Sequence, residues 1–274
     1  MDNRPIGIFD SGLGGLTALK ELRRLLPNES FVYFGDTGRV PYGARSPQTL
    51  RRFARENIRF LQHYDVKMIV AACGTISSIL SEDPAWDPTF PFTGVLRPAA
   101  EAACRATRCG RIGVIGTSAT IRSGSYERII RQIMPNVQVF SRACPLFVPL
   151  VENGYLEEQN PVTELVARDY LSGLAAERSD TLILGCTHYP LIAPAIRRVM
   201  GDGVTLIDPG KETAAAVQAM LSARGICADG SQTGDTRYFA SADTEDFGTI
   251  AARFLGEPLE SAVELVEVDA LSRE

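Results

Sequence analysis

The chain has 274 residues and 45% of them are hydrophobic, enough for one large or two smaller packed α/β cores. A net charge of −5 and a pI near 5.3 argue against nucleic acid or an anionic membrane as partner. No apolar run approaches the roughly 20 residues of a membrane span and no charged-then-apolar leader opens the chain, so the expected location is cytoplasmic.

Short apolar runs alternate with amphipathic stretches, the pattern of α/β layers on mainly parallel sheets. The spacing predicts a strand over 5–9, a helix over 13–26 closed by Pro27, and a strand over 30–34. A helix follows over 47–64, with Arg51, Arg52, Arg55 and Arg59 on a solvated face, then a strand over 67–72 and a short helix over 77–80. Residues 82–91, with Pro84, Pro88, Pro91 and the single tryptophan, read as a loop before a helix over 98–105. At Arg111 the pattern restarts: Ile112-Gly113-Val114-Ile115-Gly116-Thr117-Ser118 echoes Ile6-Gly7-Ile8-Phe9-Asp10-Ser11. A helix over 124–134, a strand over 137–140, a helix over 164–176 and a strand over 181–184 follow. The tail offers a helix over 212–224 stopped by Gly225, a strand over 237–240, a helix over 247–255, a strand over 262–268 and a frayed end over 269–274.

The echo predicts two similar α/β domains related by a pseudo-two-fold axis, one built from 1–96 plus 209–274 and the other from 97–208. In open α/β sheets ligands bind at the carboxyl ends of strands, where Asp10, Cys73, Thr117 and Cys186 all fall. Facing domains would bring both thiols over one cleft. A thiol fixed at a strand exit can serve as base or nucleophile once ionised. Six cysteines in a chain of this length are no disulfide scaffold, and with two histidines no metal site is expected. Cys104, Cys109, Cys144 and Cys227 are expected to be ordinary buried or half-buried thiols.

Asp10-Ser11-Gly12-Leu13-Gly14-Gly15 is a glycine-rich turn without G-x-G-x-x-G spacing, and its acid would repel a pyrophosphate. Asp10 can pair with a substrate ammonium while Ser11 binds a carboxylate; alternatively Asp10 caps the helix. Pro41-Tyr42-Gly43 alone is just a turn. In Cys186-Thr187-His188-Tyr189-Pro190 the histidine can move protons beside the thiol. A Cys–His hydrolase pair would leave Cys73 without a purpose. Glu152 either lines the cleft or faces solvent. Asp10 near Cys73 and His188 near Cys186 are the candidate proton-handling partners.

These motifs, in this order over nearly the whole chain, resemble the glutamate racemases of the aspartate/glutamate racemase family. The resemblance implies a cofactor-independent enzyme that interconverts L- and D-glutamate for bacterial peptidoglycan. It implies two α/β domains with the site between them, and homodimers are frequent. It makes Cys73 and Cys186 the two acid/base residues. Substrate contacts are implied for Asp10, Ser11, Pro41, Tyr42, Gly43, Gly74, Thr75, Thr187 and His188, with Thr117 and Glu152 added from their strand-end and cleft positions. One departure stands out. The family usually has asparagine after the first cysteine, where this chain has Gly74. A lost hydrogen bond to a charged group is worth roughly 1.5–3 kcal/mol, so binding or selectivity is expected to change. Members activated by a cell-wall precursor carry an N-terminal extension, and this chain opens almost on its first strand, so that control is expected to be missing. Other readings are a racemase of aspartate or another amino acid, a Cys–His hydrolase or isomerase, and a non-catalytic two-lobed binding protein.

Overall fold

The structure, a computed structural model, describes residues 1–81, 83, 86, 88–242 and 244–271. In chain order the first group of elements is β1 (Ile6–Asp10), α1 (Leu16–Leu25), β2 (Phe31–Gly35), α2 (Pro47–Gln62), β3 (Met68–Ala71), α3 (Gly74–Ser81) and β4 (Phe92–Gly94). The second is α4 (Leu96–Ala106), β5 (Arg111–Gly116), α5 (Ser118–Ser123), α6 (Ser125–Ile133), β6 (Gln138–Ala143), α7 (Phe147–Glu152), α8 (Pro161–Ala176), β7 (Thr181–Gly185), α9 (Ala193–Met200) and β8 (Thr205–Ile207). The chain closes with α10 (Pro209–Arg224), β9 (Thr236–Ala240), α11 (Thr244–Leu255), β10 (Val263–Leu265) and α12 (Val268–Leu271).

The strands form two sheets, ordered β10-β9-β2-β1-β3-β4 and β6-β5-β7-β8, and every pairing among the described residues is parallel. The run β2-β1-β3-β4 and the whole second sheet share one topology: opening strand central, the next to one side, the third to the other, the fourth beyond it. Helical crossovers cover both faces, which is why β1, β2, β3 and β7 are buried along their full length. One apolar cluster runs from Ile8, Leu16 and Tyr33 to Phe147, Leu184 and Tyr189, so the two sheets share a core. Helix α10 packs on α1 from the first group and on α4 from the second.

Caps set the helix starts. Ser46 accepts from the Thr49 amide ahead of Pro47, Asn160 from Val162 and Thr163, and Asp208 from Gly210. Helix α1 starts at Leu16 rather than at 13, because the Asp10 carboxylate holds the Gly12 and Gly15 amides in a turn. Helix α3 starts at Gly74 rather than at 77, its first turn closed by the Ser77 amide on the Cys73 carbonyl at 2.8 Å. The helix expected over 124–134 is preceded by a separate one, α5, and Gly124 stands between them in the left-handed region at φ 63°. β4, α7, α9 and β8 had no counterpart in the sequence pattern. The final strand is only Val263–Leu265, and part of the expected fray is helix α12. Residues 82, 84, 85 and 87 of the expected loop, and 272–274, lie outside the described residues. Cys109 is exposed rather than buried, whereas Cys104 and Cys144 are buried and Cys227 is half-buried.

A methyl at Gly124 would meet only the far end of Arg128, so the cost there is conformational. Gly124→Ala is expected to destabilise the fold by roughly 1–2 kcal/mol, with Gly124→Asn closer to wild type. Urea denaturation of the three proteins checks the order; equal midpoints would contradict it.

Candidate active site

The carboxyl ends of β1, β3, β5 and β7 point into one cavity of about 480 Å³. Asp10, Ser11, Pro41, Tyr42, Gly43, Cys73, Gly74 and Thr75 line it from the first sheet's side, and Thr117, Glu152, Cys186, Thr187 and His188 from the second's. The lining thus includes every residue singled out from the sequence. It also holds residues the sequence did not reveal: Val40, Thr120, and Pro145, Val148 and Pro149 around α7. Thr120 had a readable signal, since Thr117 caps α5 by accepting the Thr120 amide.

Asp10 is 1% exposed. It borders the cavity, and it caps the turn by accepting from Gly15 at 2.9 Å and Gly12 at 3.3 Å. Burial pushes its carboxyl up against the pull of the Gly15 amide and of His188. Cys73 lies nearby and donates to the Ser11 hydroxyl at 3.6 Å. Burial, then the Asp10 charge, push the Cys73 thiol up to about 12, so it is protonated at neutral pH. Tyr42, 3% exposed, has its phenol donating to Asp36 and accepting from Asn57 at 3.3 Å.

Cys186 has the opposite kind of neighbour. His188 Nδ1 lies 3.7 Å from its sulfur, and Nε2 lies 3.1 Å from Glu152 Oε1. The imidazole edge packs on Phe254, ring centroids 5.2 Å apart. Burial by itself would lower the imidazole; the bonds to Cys186 and Glu152 outweigh it and push His188 up to about 10. One thiol therefore sits beside a carboxylate and the other beside a cation. Glu152 both lines the cavity and reaches solvent, its side chain 45% exposed.

Close contacts fix the walls against each other. The Thr17 hydroxyl donates to the Thr187 carbonyl at 2.8 Å. A Cβ at Gly14 would fall on the Thr187 hydroxyl and 2.5 Å from His188 Nδ1, so only glycine allows the turn to lie there. A Cβ at Gly74 would stand 3.0 Å from the Gly185 carbonyl oxygen. A side chain at that position would therefore press on the segment that leads to Cys186.

The family model described as Asp/Glu/Hydantoin racemase matches residues 16–218. The chain is 47% identical over 256 residues to the glutamate racemase of Geobacter metallireducens, covering 93% of this chain and 94% of that protein. A crystal structure of a glutamate racemase isoform from Bacillus anthracis superposes with a TM-score of 0.91 at 38% identity, covering 98% of this chain and 99% of that one. The glutamate racemase of Francisella tularensis, solved in complex with D-glutamate, superposes with a TM-score of 0.89 at 35% identity, covering 98% of this chain and 100% of that one.

With two histidines in the chain, the His188 ring can be followed individually by NMR. It is expected to titrate near 10, to titrate lower in Glu152→Gln, and to fall back toward about 6.5 in Gly14→Ala, where the added methyl displaces it. A wild-type value near 6.5 would contradict the charge assignment.

Proposed function

This chain belongs to the Asp/Glu/Hydantoin racemase family and is an amino-acid racemase, and we propose that it interconverts L- and D-glutamate by a two-thiol proton relay. The observation that carries the relay is the placement of Cys73 and Cys186 on one cavity, at equivalent strand ends of two topologically matching sheets. The relatives named above support glutamate as substrate. Sheet membership supports a division into 1–96 plus 209–274 and 97–208, since β9 and β10 join the first sheet. The resemblance also carries a cytoplasmic location, a homodimer, and D-glutamate supply for peptidoglycan.

An amino-acid α-hydrogen is a very weak acid, so the site must supply a charged base and a proton donor on the opposite face. In the proposed relay Cys186, its sulfur 3.7 Å from the His188 ring, is the starting base, and Cys73, which burial and Asp10 keep protonated, is the starting acid. In this resting state Cys186 removes the α-proton of L-glutamate and Cys73 protonates the other face, yielding D-glutamate. Turnover leaves Cys186 as thiol and Cys73 as thiolate, the state that takes D-glutamate back. Asp10 pairs with the substrate ammonium. Ser11, Thr75, Thr117, Thr187 and the Tyr42 and Gly43 backbone amides take its carboxylates, with Pro41 bordering them.

In heavy water, product formed in either direction is expected to carry solvent deuterium at Cα; racemisation with full retention of substrate hydrogen would sink the relay. Cys73→Ala and Cys186→Ala are each expected to lose at least about a hundredfold in racemisation. The pH dependence has a definite sign. The His188 cation is present below its titration near 10 and is lost above it, so kcat/KM for L-glutamate should fall as pH rises through 10. In Glu152→Gln, a profile measured on L-glutamate should bend at lower pH; an unmoved limb would remove His188 from the mechanism.

A further inference from the structure

Behind the wall of the cavity formed by Val40, Pro41, Tyr42 and Gly43 lies a buried charge network with no part in the chemistry described so far. Its centre is Asp36, 0% exposed, immediately after β2. Oδ2 accepts from Arg39 Nε at 2.7 Å, from Arg39 Nη2 at 2.6 Å and from the Tyr42 hydroxyl. Oδ1 accepts from Ser241 Oγ at 2.8 Å, and the same serine oxygen accepts from the Gly38 amide at 2.8 Å. Arg39, 7% exposed, continues into α2: Nη1 pairs with Glu56, Nη2 donates to Asn57 at 2.7 Å, and the guanidinium lies 4.1 Å over the Phe53 ring. Asn57 closes the circuit by donating to the Tyr42 hydroxyl at 3.3 Å.

Two carboxylates, one guanidinium, one amide and two hydroxyls are thus taken out of water together and satisfy one another. A buried ionic network of this kind is weak evidence of stability gained, because desolvation consumes most of the attraction. What a fully satisfied network does provide is a single geometry for the groups attached to it. Here those groups come from the end of β2, from α2, and from the segment after β9. Asp36 and Asn57 bond directly to one residue of the cavity wall, Tyr42, and Ser241, Arg39 and Glu56 hold those two in turn.

We propose that Asp36, Arg39, Glu56, Asn57 and Ser241 are positioning residues that hold the Tyr42–Gly43 backbone where it receives a substrate carboxylate. The proposal rests on the racemase reading above and adds to it a device for binding rather than for proton transfer. The network touches neither thiol, so loosening it weakens capture of both enantiomers alike and leaves the relay itself intact.

The test is steady-state kinetics in both directions on Tyr42→Phe, Ser241→Ala, Asp36→Asn and the double variant Tyr42→Phe/Asp36→Asn, with melting followed by circular dichroism. Tyr42→Phe and Ser241→Ala each remove one hydroxyl and keep the shape, so a result is obtained even if Asp36→Asn does not fold. KM for L- and for D-glutamate is expected to rise about tenfold in Tyr42→Phe and several-fold in Ser241→Ala, with kcat held within about threefold. If Asp36 acts through the Tyr42 hydroxyl, the double variant should be no worse than the weaker-binding single variant, within about twofold. Lowered melting with KM unmoved would reduce the network to a structural brace and overturn the proposal. So would a loss confined to kcat, or KM effects that multiply in the double variant. If the wild-type chain itself exchanges no α-proton of glutamate, the racemase reading falls and this proposal with it. Wild-type turnover with unchanged KM in Tyr42→Phe and Ser241→Ala would overturn the positioning role alone.

Discussion

The contact between the His188 ring and the Cys186 sulfur is the one on which the rest of the site depends. Two buried thiols with the same surroundings would both hold their protons and neither could begin a reaction. Here the surroundings differ in sign. Cys73 shares its end of the cavity with a buried carboxylate, and Cys186 shares its end with an imidazole tied on its far side to Glu152. In the proposed reaction these unlike neighbours are what distinguish two chemically identical groups as acid and base. In the proposed reaction each turnover exchanges those roles, so the site needs no outside proton donor to run in both directions.

The fold serves this asymmetry by repetition. Two parallel sheets of the same strand order present equivalent third strands, β3 and β7, each ending within two residues of a cysteine. Equivalent strand ends on one cavity place both thiols in its lining without any long-range design of loops. What breaks the equivalence is local: Asp10 follows from β1, while Glu152 comes from α7, an element of the second half alone in this role. Glycine at 14 and at 74 then lets the two halves approach to contact distance around the cavity.

Much of this is legible in the chain. Cys73 and Cys186 each close an all-apolar run, and the Ile6 and Ile112 segments echo one another, so the strands and the shared site could be placed from periodicity. The elements that escaped notice are short or masked by their neighbours. β4 and β8 have three residues each, and α7 and α9 carry proline inside their first turns. The network around Asp36 escaped for a different reason. α2 reads as an arginine-rich solvated helix, and Arg51, Arg52 and Arg55 do lie on that side, paired with Asp83 and Glu56. Glu56 and Asn57, in the midst of those arginines, nevertheless turn inward because Arg39 arrives from a loop to meet them. Pairing across 17 residues between a loop and a helix leaves no periodic trace. Gly74 was readable as a missing amide; that it also sits against the Gly185 carbonyl was not.

The central claim is that two sulfurs address one carbon from opposite faces. A crystal structure of this protein with glutamate bound measures it directly. The account requires Cys73 Sγ and Cys186 Sγ on opposite sides of the glutamate Cα, each within roughly 3.5–4 Å of it. Both sulfurs on one face, or one of them separated from Cα by other side chains, would contradict it.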